Sequence, residues 1–160
     1  MNQVRSKFSD LFVYSLGSMT KLLTAISIMQ LNERSEVSLS DPVAKYIPSF
    51  ASTRVASEPS QSISEPLKTE GLFREITIKD LLTHTSGMTY SGMTFTGVKT
   101  ISDILYENAG FLNWSETLDS FVNTAAKLHL AFQPGKDFEY SLSFDVLGRI
   151  IEIVTDLASR

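Results

Sequence analysis

From Leu22 to Leu31 the chain offers almost no polar face. Leu22, Leu23, Ala25, Ile26, Ile28, Met29 and Leu31 cover nearly the whole circumference of a helix drawn through them, and Thr24, Ser27 and Gln30 leave only a thin polar edge. Such a helix needs neighbours on most sides. The pattern predicts a first long helix from Ser18 to about Glu33, with Gly17 marking a tight turn before it. Residues three apart share a helix face, so the Ser18 hydroxyl and the Lys21 amine meet without help from tertiary structure. The unpaired N–H groups and the dipole at a helix start favour negative charge, which suits both an alkoxide and an acyl-transfer oxyanion. A lysine on the first turn of a buried helix is a candidate for desolvation, which favours the neutral amine that accepts a proton.

A Ser-x-x-Lys tetrapeptide on its own is a weak signal, expected about once by accident in a chain this rich in both residues. Taken alone, Ser18 reads as an ordinary N-cap and Lys21 as a solvated side chain. The apolar run that follows is what raises a nucleophile and a base above that reading.

Composition narrows the alternatives. The chain has 160 residues, 42% hydrophobic and 20% charged, a globular balance with length enough for one core. A net charge of -4, a pI near 5.2 and the lack of any basic run argue against nucleic acid or an anionic membrane as the main partner. Without cysteine there are no disulfides, thiolate nucleophiles or zinc–thiolate sites. His84 and His129 stand far apart in no ligand spacing, so neither a metal nor a cofactor is expected. Met1-Asn2-Gln3-Val4-Arg5-Ser6-Lys7 has a charged start but no apolar core after it, so it is not a secretory signal, and the chain is expected to be cytoplasmic if that start is genuine. No apolar run reaches the ~20 residues of a transmembrane span.

Along the chain, Leu11 to Ser15 reads as a short extended lead-in. Asp41-Pro42-Val43 is a helix start with Asp41 as N-cap and Pro42 at the first helical position, stopped by Pro48. Residues 49–70 turn polar and Pro-punctuated, the segment expected to be mobile. Thr77-Ile78-Lys79-Asp80 is a capping-box start for a short helix through Leu82, ended by Thr85-Ser86-Gly87. Helices are expected over Ser102 to Asn108 and Ser115 to about Leu128. Phe138-Glu139-Tyr140 reads as extended, and Phe144, Leu147, Ile150, Ile151, Val154 and Leu157 mark a final helix.

Four blocks then occur in one order. They are Gly17-Ser18-Met19-Thr20-Lys21; Leu39-Ser40-Asp41-Pro42-Val43 with Lys45-Tyr46-Ile47-Pro48; Ile76 through Gly87, which contains Leu81-Leu82-Thr83-His84-Thr85-Ser86-Gly87; and Phe132-Gln133-Pro134-Gly135 with Phe138-Glu139-Tyr140-Ser141 and Asp145-Val146-Leu147-Gly148-Arg149. Together they resemble the serine β-lactamase and penicillin-binding-protein-like superfamily, closest in motif to the family VIII carboxylesterases. The resemblance covers about Asp10 to Leu157. It implies a mainly α chain with minor β: the helical domain and nucleophile helix of a β-lactamase/transpeptidase-like α/β fold, as one partial domain over 1–160.

By resemblance, Ser18 is the acylated nucleophile, Lys21 its hydrogen-bonded activator and Tyr140 the residue that relays the proton to the leaving group. A phenol with a reference pKa near ~10 serves as a base only where a cation stabilises its ionised form, and Lys21 is placed to be that cation. For Tyr140 the alternative is a tyrosine at the core edge bonded to backbone. His84 beside a serine invites a triad reading, but in the resembling family its segment is a structural turn. Trp114, Phe111 and Phe121 read as core or lid packing.

Two departures shape the functional expectation. The β-lactamases and D-alanyl-D-alanine peptidases place asparagine two positions after the tyrosine, where this chain has Leu142, which cannot hydrogen-bond a β-lactam or peptide. Tyr140-Ser141-Leu142 resembles the esterase and acyltransferase version. The family's third motif should lie well beyond Tyr140, and Arg160 ends the chain first; Lys68-Thr69-Glu70 lacks the glycine and precedes Tyr140. The flanking antiparallel sheet is expected to be largely missing too. The expectation is a serine hydrolase of carboxylesterase or acyltransferase lineage that acts on small ester or acyl substrates, with this chain a fragment, weakly active or inactive alone. The alternatives are a β-lactamase or D-alanyl-D-alanine peptidase lineage, or a non-catalytic remnant. Loss of the sheet that normally covers the first helix predicts exposed apolar patches and possible self-association.

Overall fold

The computed structural model describes residues 16–57, 68–90 and 116–156. Gly17 turns the chain with φ +52° into a single 3-10 turn, Gly17–Met19, which runs directly into helix α1, Thr20–Glu33. The predicted helix is present over its predicted extent, although Ser18 sits in the 3-10 turn and does not cap it. The lead-in at 11–15 and the helix at 102–108 lie outside the described residues.

Helix α2, Ile78–Leu82, starts on the capping box read from sequence. Thr77 Oγ1 accepts the Asp80 N–H, and the Asp80 carboxylate accepts the Thr77 N–H at 2.8 Å. Helix α3, Leu118–Ala125, is capped by Thr117, and the final helix α4 spans Ser143–Thr155. Helix α4 is the hub: α1, α2 and α3 all pack against it. Its Val146, Leu147 and Ile150 are fully buried and meet Ile28 and Leu31 of α1, Ile78 and Leu81 of α2 and Val122 of α3 in one core. Phe121 packs on the edge of that core, while Trp114 and Phe111 fall outside the described residues.

Two local readings change. Asp41 does not cap a helix. Pro42 is extended, with ψ 141°, and bridges Thr77, while the Val43 N–H donates to the Ile76 carbonyl at 2.8 Å and the Ile78 N–H to the Asp41 carbonyl at 3.1 Å. This pairing across 35 residues replaces the first helical turn, and only a 3-10 turn, Val43–Lys45, follows. The segment expected to be mobile is ordered at both ends: a 3-10 turn at Pro48–Ser52 buries Phe50, and β1 (Val55–Ala56) pairs antiparallel with β2 (Thr69–Glu70). Leu130 holds Val55 from the other side through a parallel bridge. Residues 58–67, the middle of that segment, lie outside the described residues. Among the described residues β1–β2 is the sole sheet, so the chain is mainly helical with minor β.

Helix α1 is not buried on most sides among the described residues. Ile28 and Leu31 face the core, but Leu22 and Leu23 are 66% and 57% exposed, with Met19, Ile26 and Met29 also exposed. An apolar face of α1 is thus left exposed. No described helix is long and apolar enough to cross a membrane.

Candidate active site

The Gly17 turn presents Ser18 at the surface, and Ser18 Oγ lies 2.6 Å from the Tyr140 hydroxyl. Lys21, one turn along α1, hydrogen-bonds the same phenol, and its Nζ sits 4.8 Å from the centre of the Tyr140 ring. Three residues picked from sequence, two of them separated from the third by about 120 positions, thus share one hydrogen-bonded cluster. Lys21 is half-buried among rings, with Tyr90 and Phe144 centred 5.8 and 5.9 Å from Nζ.

Ser18 and Lys21 border a cavity of about 400 Å³ that Thr24, Tyr90, Phe144 and Asp145 also line. Tyr90 stands in no sequence block, whereas Phe144 marks the final helix and Asp145 belongs to the fourth block, neither with a role at the site. Nothing in their spacing marks them, because the turn after Gly87 and the first turn of α4 bring them to Lys21. Leu142, which was singled out, is 3% exposed at the start of α4 and is not among the residues lining the cavity. No amide stands in its place.

The two phenols at Lys21 are pushed apart. Burial alone would raise Tyr140, but the Lys21 and Ser18 hydrogen bonds and the Lys21 charge outweigh it and bring the phenol below its ordinary value. Burial raises Tyr90, and the Asp145 carboxylate adds to the rise against the opposing charge of Lys21. Asp145 is itself raised by burial, again opposed by Lys21. Of the two phenols, Tyr140 is the one prepared to give up a proton.

His84 takes no place in a serine triad. It follows α2 with φ +56°, is 9% exposed, and accepts the Ser141 N–H at Nδ1 over 3.2 Å. Burial first, then the Lys21 charge, push its pKa down to about 4. His129 is half-buried and likewise lowered by burial and by Arg54. Among the described residues no cluster of His, Asp and Glu could hold a metal ion.

The chain is 34% identical over 143 residues to esterase EstB of Burkholderia gladioli, covering 89% of this chain and 32% of the esterase. It is 32% identical over 142 residues to acyltransferase calJ of Penicillium decumbens, covering 87% of this chain and 31% of that protein. Among solved structures, EstCE1, a hydrolase with promiscuous acyltransferase activity, superposes with a TM-score of 0.67 at 27% identity, over 87% of this chain and 32% of its own. The chain therefore spans about a third of the length of the relatives it matches. The family model described as Beta-lactamase matches residues 5–159, and with this helical fold and the Ser18–Lys21–Tyr140 cluster in place, the chain belongs to the Beta-lactamase family.

Proposed function

We propose that the protein carrying this chain is a serine hydrolase of the esterase or acyltransferase kind, acting through a covalent acyl-Ser18 intermediate. The 2.6 Å contact between Ser18 Oγ and the Tyr140 hydroxyl, with Lys21 on the same phenol, is the observation that carries it. Tyr140, as phenolate, takes the Ser18 proton while Oγ attacks the substrate carbonyl. The Lys21 ammonium stabilises the phenolate. The oxyanion forms beside the start of the 3-10 turn and α1, where backbone N–H groups lack intrahelical acceptors. Tyr140 then hands its proton to the departing alkoxide, which leaves as an alcohol. Water, or a second alcohol for acyl transfer, enters by the reverse sequence, giving its proton to Tyr140 as Ser18 recovers its own.

Esters are favoured over β-lactams and cell-wall peptides because Leu142 offers no side-chain hydrogen bond where an amide would hold those substrates. The names of the relatives, an esterase and an acyltransferase, support the same lineage. The exposed apolar face of α1 supports self-association of the isolated polypeptide.

The test is to offer a short-chain p-nitrophenyl ester and a labelled penicillin in parallel and to locate any adduct by peptide mass. Acylation of Ser18 by the ester, with poor acylation by the penicillin, is expected. Penicillin acylation and turnover matching those of the ester would refute the esterase preference. Ester acylation undiminished by Ser18→Ala would remove the nucleophile.

A further inference from the structure

We propose that His84 is a positioning residue that clamps the backbone on both sides of Tyr140 and so sets the phenol on Ser18. The inference rests on the catalytic reading of Tyr140 and adds a residue to it. Tyr140 lies in a stretch between Pro134-Gly135 and α4 that forms no regular ladder of its own. Its neighbours are instead held by one residue. The His84 carbonyl accepts the Glu139 N–H at 3.0 Å, and His84 Nδ1 accepts the Ser141 N–H at 3.2 Å. Between these two anchors the imidazole lies against the Tyr140 ring, with centroids 4.7 Å apart and planes tilted by 32°.

The imidazole is itself braced. Phe144 packs 5.1 Å from its centre and Phe138 meets it edge-on at 6.0 Å. Ser141 Oγ, 3.3 Å from Nδ1, joins a buried chain of hydroxyls through Ser143 at 2.7 Å to Ser86 at 2.9 Å, and all three serines are fully buried. Both anchors need the backbone turned back on itself after α2, which the left-handed conformation of His84 provides.

An acceptor at Nδ1 exists only while that nitrogen carries no proton. The charged and titratable groups around the ring are Lys21 from α1, Tyr140 from the clamped stretch, and Asp145 and Tyr90, which act on Lys21 and on Tyr140. Lys21 is the one that opposes a positive imidazole, and burial opposes it further, so the clamp is closed above a pH of about 4. The hydrogen bond from Ser141 is present in the neutral form and is lost as pH falls through that value.

Two variants tolerate the left-handed backbone and differ in the acceptor. His84→Asn places Oδ1 near the position of Nδ1, whereas His84→Gly leaves the Ser141 N–H without its partner. The first readout is the rate at which a fluorophosphonate labels Ser18. The second, which needs no reaction, is the ionisation midpoint of Tyr140, followed by NMR with ring-labelled tyrosine and assigned with Tyr140→Phe.

His84→Asn should stay within about threefold of the parent rate, and His84→Gly should lose at least about tenfold, the loss expected when one hydrogen bond no longer places a reacting group. The Tyr140 midpoint should rise in His84→Gly and stay unchanged in His84→Asn. Equal rates and equal midpoints for the two variants overturn the clamp. If the parent chain is not labelled at Ser18, the catalytic reading fails, and the Tyr140 midpoint alone still decides the clamp. Should His84→Gly not fold, the unmodified chain gives the answer: the Ser141 amide resonance must shift with a midpoint near pH 4, and an amide that does not titrate there overturns the proposal.

Discussion

Asp80→Ala should cost more stability than any exposed substitution in this chain. Asp80 is 5% exposed and its carboxylate accepts five hydrogen bonds: from Arg74 at 2.6 and 2.8 Å, from the Thr77 N–H at 2.8 Å and hydroxyl at 2.6 Å, and from the Thr85 hydroxyl at 3.2 Å. Losing the reciprocal cap removes about 1 kcal/mol, and breaking a pair with one buried partner removes up to about 3–5 kcal/mol. The Arg74 side chain is 45% exposed and regains water once its partner is gone, which places the sum near the low end, at about 3 kcal/mol. With a urea slope of about 2 kcal/mol/M, the midpoint followed by circular dichroism should fall by about 1.5 M. Burial alone would raise the Asp80 carboxyl, but the Arg74 and Thr77 hydrogen bonds and the Arg74 charge outweigh it and hold the group below its ordinary value. Its contribution is therefore complete above the unfolded value of about 4 and is lost as pH falls through the lower folded value. The advantage of the parent over Asp80→Ala should shrink in acid. A midpoint shift below about 0.5 M at neutral pH, or a difference that grows as pH falls, would refute the reasoning.

Tyr140→Phe should slow fluorophosphonate labelling of Ser18 by about 100-fold or more while leaving the melting transition nearly in place, since the side chain is half-buried and the change removes only the hydroxyl that meets Ser18 Oγ. The labelling rate of the parent should rise with pH with a midpoint below about 10; Lys21→Met removes the larger of the two hydrogen bonds that lower the phenol, together with the Lys21 charge, and leaves only the Ser18 bond against burial, so its midpoint should move up. A midpoint unchanged by Lys21→Met would break the link between the two residues. The exposed Leu22, Leu23, Ile26 and Met29 predict that the isolated polypeptide binds a hydrophobic dye and elutes larger than a monomer, and that Leu22→Lys with Ile26→Lys reduces both. Monomeric elution of the parent without dye binding would contradict it.

What was legible in the sequence was whatever rests on contacts within a few residues. The capping box at Thr77 and Asp80 spans three positions and survives intact. Readings failed where distant segments intervened. Asp41 has the chemistry of a cap, but the pairing of residues 41–43 with 76–78 satisfies the backbone instead, and its carboxylate turns to the Ser38 N–H, Lys45 and Tyr46. Polar residues around Phe50 and Val55 suggested mobility, yet both apolar side chains join the core, and Leu130, about 75 residues on, bridges Val55. Tyr140 was accessible only through the order of the blocks; Asp145 stood in the same block without a role, and Tyr90 in none, since packing of the Gly87 turn and α4 against α1 assembles that side of the cavity. The exposure of α1 lay between these cases: an apolar circumference states what a helix needs and says nothing of which neighbour supplies it.

The central claim is that Ser18 is the nucleophile of a Ser18–Lys21–Tyr140 set, and intact-mass and peptide-mass analysis of the 160-residue chain after prolonged exposure to a fluorophosphonate tests it most directly. The account predicts one adduct per chain, at Ser18. The adduct should be absent from Ser18→Ala and strongly reduced in Lys21→Met and Tyr140→Phe. No adduct in the parent, an adduct on another residue, or equal labelling of Ser18→Ala would contradict the account.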